Sequence, residues 1–280
     1  MFSSFRVACI QTNSQLDMDA NLEAASALVR DAVEDGAQLV LMPENVSLMG
    51  TNKEQAAAMA VPESSHKALP VFTKLAREKE IWMLVGSVAV RLDEAGGDED
   101  MLANRSLLIS DKGEVVARYD KIHMFDVDIE GGESHRESET YRPGGQAVMA
   151  ATPWGELGMT ICYDLRFPYL YRSLAQAGAH FLSVPAAFTR VSGRAHWHVL
   201  LRARAVETGC YVFAPAQCGD HVNNRQTYGH SLIIDPWGKI LAEAEEEPGV
   251  ITADIDPSRV AAVRAMIPAL EHDREFLPPI

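Results

Sequence analysis

The sequence predicts an α/β fold in which two mixed sheets lie face to face with helices outside. Three observations lead there: short apolar runs alternate with segments of helical period, each half of the chain closes on a hairpin signal, and no Pro/Gly/Ser-rich linker separates the halves. Alternating strands and helices imply parallel crossovers, and the hairpins add antiparallel pairing, so the sheets are mixed.

Phe5 to Ile10 is an apolar run suited to a buried strand, and Asn21 to Val33 then places Leu22, Ala25, Val29 and Ala32 on one helical face. Gln38 to Met42 reads as a second buried strand, stopped by Pro43. A helix over His66 to Glu80 leads into a strand from Ile81 to Val90. The acidic, Gly-containing segment Asp93 to Asp100 reads as a surface loop. Ser106 to Ser110 and Glu114 to Tyr119 flank Asp111-Lys112-Gly113, a hairpin signal.

After a long polar segment, Asp126 to Gly145, the same order recurs. Strands are expected at Ala147 to Ala150 and Leu157 to Ile161, then a helix opening at Pro168 with Gly178 just past its end. A strand at Phe181 to Val184, a helix from Arg194 to Thr208 closed by Gly209, a strand at Tyr211 to Ala214 and a hairpin of Leu232 to Ile234 with Ile240 to Ala242 follow. Residues 1–268 are therefore expected to form one domain. Residues 269–280, with Pro278, Pro279 and an apolar Phe-Leu-Pro-Pro-Ile end, read as a tail that packs on a partner subunit or stays mobile.

Composition narrows the function. The chain has 280 residues and a net charge of −14, with 25 Lys+Arg against 39 Asp+Glu, and no clustered basic run, which excludes non-specific nucleic-acid binding. Its longest membrane-like stretch, Ile81 to Val90, is about half of the ~20 residues a spanning helix needs. No basic n-region precedes the first apolar run, so no secretory signal is expected. Cys9, Cys162, Cys210 and Cys218 form no CxxC pair and read as free thiols, which favours a reducing, cytoplasmic setting.

Three segments place reactive side chains just beyond strands, where α/β sheets present ligands. In LMPEN, Glu44 follows the second strand; apolar walls can raise such a carboxyl into the range of a general base, and the alternative is a surface carboxylate on a turn. In YDKIHMFD, Lys121 offers an ammonium for a developing oxyanion and His123 an acid or base; the alternative is a solvated lysine paired with Asp120 and a locally satisfied histidine. In GMTICYDLRFP, Cys162 sits at a strand-to-helix elbow whose backbone N–H groups can activate a thiol and receive an oxyanion. A buried inert cysteine is the alternative there, and Asp164 with Arg166 reads as an ion pair holding the elbow. Cys210, Cys218, His196, His198 and His221 lack zinc-site spacing, so no metal is expected. Without GxGxxG, P-loop or GxSxG patterns, no cofactor or serine nucleophile is expected either.

The order Glu44, Lys121, Cys162, carried by these three motifs, resembles the nitrilase superfamily of carbon–nitrogen hydrolases, whose members use a Glu-Lys-Cys triad. The resemblance runs from VACIQ near the start to GHSLIIDPWGKI. It implies that Glu137, in HRESETYRPG, is the family's second glutamate and that the backbone N–H of Tyr163 joins Lys121 around an oxyanion. AGAHFLSVPAAF, AHWHVLLRARAVETGCYVFAPAQCG and YGHSLIIDPWG look like the Nit branch, closer to the deaminated-glutathione amidases than to the ω-amidases acting on α-ketoglutaramate. The implied fold is a four-layer αββα sandwich, dimerised through helices into a homodimer. The implied activity is cleavage of a small carboxylate-bearing amide through a thioester on Cys162, with ω-amidase or N-carbamoyl amino acid hydrolase chemistry as alternatives. Arg166, Arg190 and Arg194 are candidates for the substrate carboxylate, each equally readable as a surface or structural arginine. Two further readings stay open: a Cys-His hydrolase with His123 as base, and a non-catalytic binding member of the fold.

Overall fold

The computed structural model describes residues 2–49, 52–92, 101–129, 133–277 and 279. The strand Phe5–Gln11 shows how the layers arise, because side chains alternate across a sheet. Phe5, Val7 and Cys9 join the core shared by both sheets. Ala8 and Ile10 point the other way, into a second cluster with Leu22, Ala25 and Val29 of helix Met18–Glu34 and Phe72 and Leu75 of helix Ala68–Lys79. Leu39 and Leu41 face inward and Val40 and Met42 outward by the same rule.

The larger sheet has the order Gly249–Ile255, Phe5–Gln11, Leu39–Leu41, Trp82–Arg91, Leu102–Ile109, Val115–Asp120, with Val61–Pro62 paired to Trp82–Arg91. The other runs Ile240–Glu243, Leu232–Ile234, Tyr211–Ala214, Phe181–Ser183, Gly155–Met159, Val148–Thr152. In each, three central strands are parallel and the outer pairs antiparallel. Phe5 stacks on Trp154 with ring centroids 4.4 Å apart and meets Phe181 edge-on, closing the two sheets on each other. Helices Pro168–Gln176 and Arg190–Thr208 contribute Leu170, Tyr171, Leu174, Trp197 and Leu201 to the same core. The result is the four-layer αββα sandwich.

Several boundaries move for identifiable reasons. Asp17 caps helix Met18–Glu34 through the N–H of Ala20, and Thr189 caps Arg190–Thr208 through that of Ser192, so both helices begin earlier than their apolar periodicity. The polar stretch Asp126 to Gly145 carries a hairpin, Asp126–Ile129 with Glu133–Arg136, and a 3₁₀ turn, Glu137–Glu139. Helix Lys53–Met59, strand Gly249–Ile255 and helix Ser258–Met266 were not expected. The expected loop Asp93 to Asp100 lies outside the described residues. In the tail, Arg172 donates to the Ala269 carbonyl and pairs with Asp273, and Gln176 donates to the Leu270 carbonyl, which ties residues 269–273 to helix Pro168–Gln176. Phe276 and Leu277 project into solvent.

Candidate active site

Glu44 follows strand Leu39–Leu41 across Pro43. The path is tight: a Cβ on Gly86 would sit 1.8 Å from the Met42 carbonyl oxygen, so only glycine lets the neighbouring strand pass. Asn45 then takes φ of +56° and its N–H donates to Ser87 Oγ at 2.9 Å. The carboxylate, 3% exposed, is fully engaged. Oε2 accepts the Ala187 N–H at 2.8 Å, and Oε1 accepts Asn104 Nδ2 at 2.9 Å and Lys121 Nζ at 3.0 Å.

Lys121 continues from strand Val115–Asp120 and is 2% exposed. It does not pair with Asp120, which is held bidentately by Arg105 at 2.7 and 2.8 Å. Its Nζ instead bridges Glu44 and both oxygens of Glu137, at 2.9 and 2.8 Å. Glu137 is fixed by the Phe125 N–H at 2.7 Å, and Asn104 reaches it at 3.2 Å. Asn104 therefore joins both glutamates, a role with no sequence signal.

Cys162 opens the 3₁₀ turn Cys162–Arg166 beyond strand Gly155–Met159, with φ of +47° and its N–H donating to the Pro185 carbonyl at 2.9 Å. A non-glycine residue in this left-handed region is strained, as nucleophile elbows are. The thiol shares the cleft with Glu44 and Lys121, close enough for both charges to act on it. The next N–H, that of Tyr163, belongs to the first turn, where backbone donors lack intrahelical acceptors. Asp164 holds the elbow, but not through Arg166. Its buried carboxylate accepts Tyr119 Oη at 2.6 Å, Ile161 N at 2.9 Å and His123 N at 3.0 Å. Arg166 meets His196 Nδ1 at 3.3 Å and lies over the Tyr163 and Phe188 rings.

Electrostatics fix the resting charges. Burial pushes Glu44 upward, as anticipated, but the Lys121 ammonium and the hydrogen bonds from Lys121 and Cys162 outweigh it and hold the carboxyl below its ordinary range. Burial opposes the Lys121 charge, and Glu137 and Glu44 overcome it, raising Lys121 well above an ordinary lysine. Burial, then the Glu44 charge, pushes the Cys162 thiol up. The trio rests as carboxylate, ammonium and neutral thiol.

These groups open on a cleft of about 400 Å³, lined also by Glu137, Tyr163 and Arg225. That volume suits a small molecule. None of Arg166, Arg190 and Arg194 lines it: Arg190 pairs with Asp220 at 3.1 Å and Arg194 is exposed on its helix. Arg225 escaped the sequence reading because it lies in a polar turn far from the three motifs. The cysteines and histidines weighed as metal ligands do not converge. His198 instead shares Glu243 with His230, at 2.8 and 3.0 Å.

With this geometry in place, a family model described as carbon–nitrogen hydrolase matches residues 6–265. The chain is 41% identical over 271 residues to a Synechocystis protein named deaminated glutathione amidase, covering 96% of this chain and 97% of that protein. It is 40% identical over 275 residues to a Homo sapiens protein of the same name, covering 97% and 83%. Among solved structures, the Saccharomyces cerevisiae Nit3, described as a member of branch 10 of the nitrilase superfamily, superposes with TM-score 0.86 at 29% identity over 97% of each chain. A mutant amidase from Nesterenkonia sp. AN1 superposes with TM-score 0.80 at 26% identity, covering 96% of this chain and 94% of that one. It carries the acetamide moiety of fluoroacetamide on its active-site cysteine.

Proposed function

Because the chain belongs to the carbon–nitrogen hydrolase family, we propose that it hydrolyses a small carboxylate-bearing amide of the deaminated-glutathione type through a thioester on Cys162. The single observation that carries the site assignment is the meeting of Glu44, Lys121 and Cys162, from three separate strand ends, in one cleft. The names of the relatives at about 40% identity support the substrate class, and the cysteine adduct on the Nesterenkonia amidase supports the nucleophile.

An amide is a poor electrophile, so the site must supply a strong nucleophile, a proton for the departing amine and a home for the oxyanion. Glu44 takes the proton from Cys162 as sulfur adds to the carbonyl carbon. Lys121 Nζ and the Tyr163 N–H hold the oxygen. The tetrahedral species collapses by breaking the C–N bond, and the proton on Glu44 goes to the amine. Glu44 then takes a proton from water, which attacks the thioester, and the proton returns to the sulfur as the carboxylate product leaves. Glu137 keeps Lys121 charged and in place. His123 does not serve as base, since Nδ1 is engaged by Asp164 and Nε2 by Tyr169 Oη at 2.7 Å.

Residues 1–268 act in this reading as one catalytic domain in the cytoplasm, and the exposed Phe276 and Leu277 of the tail and Val191, Val199 and Val206 of helix Arg190–Thr208 pack on a second copy. Four free cysteines agree with a reducing compartment, and no described helix is long and apolar enough to cross a membrane.

The deciding experiment offers deaminated glutathione, α-ketoglutaramate, an N-carbamoyl amino acid and a simple nitrile to the wild type and to Cys162→Ala. Amide turnover that vanishes in the variant, with an acyl adduct on Cys162 alone by mass spectrometry, is expected. Undiminished turnover by Cys162→Ala would remove the assignment.

A further inference from the structure

The cleft has a charge problem. The Lys121 ammonium is shared between Glu44 and Glu137, so these three groups together carry a net negative charge, which repels an anionic substrate. The chain's net charge of −14 adds to the repulsion. Recognition of a carboxylate needs a second cation facing the cleft. Arg136 lines it but is held bidentately by Asp128, at 2.8 Å to each oxygen, and Lys53 is an exposed lysine at its rim.

Arg225 is different. Its one hydrogen bond to another residue's main chain from the guanidinium is a long 3.4 Å contact from Nη2 to the Ala187 carbonyl, and its Nε is buried without an acceptor. No carboxylate among the described residues pairs with it at salt-bridge distance. A guanidinium presents five donors in a planar fork matched to a carboxylate, so an Arg with this much unused capacity is poised for an anion. The contact also fixes distance: the N–H of Ala187 binds Glu44 at 2.8 Å, so one residue separates Arg225 from the general base.

The backbone is built to hold it there. Strands Cys218–Asp220 and Gln226–Tyr228 form a small hairpin whose turn places Asn223 and Asn224 both in the left-handed region, with φ of +59° and +58°. The Arg225 carbonyl accepts the His221 N–H at 2.8 Å. Buried His221 is clamped in turn between the Ser14 carbonyl at 2.8 Å and Thr227 Oγ1 at 2.7 Å, and the Tyr228 N–H donates to the Phe188 carbonyl at 2.9 Å. The left-handed Asn-Asn turn and the buried His221 clamp fix the backbone from which Arg225 reaches the cleft.

We propose that Arg225 is the carboxylate-recognition residue of this cleft, its guanidinium binding a free carboxylate of the amide substrate while the triad attacks the amide carbonyl. The assignment rests on the amidase reading for its role in turnover, but anion binding itself does not require turnover.

The test compares wild type, Arg225→Lys and Arg225→Gln in two arms, with thermal melts to establish that each variant is folded. In the first, glutaramate and pentanamide, which differ by a carboxylate, are hydrolysed side by side. The ratio of their kcat/KM values should fall roughly 10²-fold in Arg225→Gln, chiefly through KM for glutaramate, and by less in Arg225→Lys, as expected for loss of a charge-assisted bond. In the second, glutarate is titrated calorimetrically into each protein, and its affinity should fall by a similar factor in Arg225→Gln. Equal glutarate affinity in wild type and Arg225→Gln, or no binding to either, overturns the assignment, as does an unchanged substrate ratio. A wild type that binds glutarate through Arg225 yet hydrolyses neither amide leaves the assignment standing and sinks the amidase reading.

Discussion

His123 Nδ1 lies 2.6 Å from Oδ1 of the fully buried Asp164. This contact ties the segment that carries Lys121 to the elbow that carries Cys162, across the interface between the two sheets. The same ring stacks on Phe167 at 3.6 Å and reaches Tyr169, so His123 works as a brace.

His123→Asn should accordingly behave as a stability variant. Loss of buried hydrogen bonds costs about 1–3 kcal/mol, to be read as a lower denaturant midpoint, with kcat reduced by less than about tenfold and the shape of the pH–rate profile kept. If the variant were instead fully folded and inactive while Glu44→Gln retained activity, the Cys-His mechanism would replace the triad.

Lys121→Met leaves two buried carboxylates without their cation. Breaking such a group from one side costs about 3–5 kcal/mol, and losing an oxyanion donor costs about 10²–10³ in rate. The sign of one effect also reverses. With Lys121 gone, burial of Glu44 loses its largest counterweight and the folded pKa is expected above the unfolded one, so the variant should lose stability as pH rises through the carboxylate range. Urea melts from acid to neutral pH would show this, and adding Glu137→Gln should recover part of the loss.

The wild type has its own pH window. Glu44 is depressed in the folded state, so its contribution is present above the unfolded value of about 4.3 and is lost as pH falls through the folded one. Lys121 is raised, and its contribution holds below about 10.4 and is lost as pH rises through the folded value. The Cys162 thiol is also raised, so above an unfolded value of about 8.5 the unfolded chain ionises first and stability declines. A stability plateau between about pH 5 and 8.5 is expected. At pH 7 the ultraviolet thiolate absorbance attributable to Cys162, taken as wild type minus Cys162→Ala, should be close to zero. A pronounced thiolate band there would contradict a neutral resting thiol.

Much of this was legible because it is local. Phe5 to Ile10, Gln38 to Met42 and Ile81 to Val90 are apolar runs bounded by turn residues, and all three became neighbouring strands. Pro168 and Gly178 marked a helix by their own backbone preferences, and Gly178 takes φ of +108°. Strand Gly249–Ile255 was not legible, since it pairs antiparallel with Phe5–Gln11 at the far end of the chain and Ile255 alone of its residues is buried. Candidate residues beside strand ends could be found one motif at a time. Their partners could not: Asp164 lies near Arg166 in sequence yet serves Tyr119 and His123, and Arg166, Arg190 and Arg194 lie near the motifs while Arg225, which lines the cleft, sits in a turn whose geometry depends on two left-handed asparagines.

Asn104 gives the sharpest check on that hidden part of the site. Its amide nitrogen donates to Glu44 Oε1 and Glu137 Oε1, while its own Oδ1 is buried without a partner. An amide left half-satisfied costs stability, so its place between two carboxylates is one of positioning. Asn104→Leu removes both donors and the orphaned acceptor together. Stability should therefore change by less than about 1.5 kcal/mol, while kcat falls about tenfold or more as Glu44 and Glu137 lose their common support. Asn104→Asp adds a third acid to the cluster, which must bind a proton to stay folded, so its activity should recover as pH is lowered toward the carboxylate range. A large stability loss in Asn104→Leu with kcat intact would show that the residue serves packing alone.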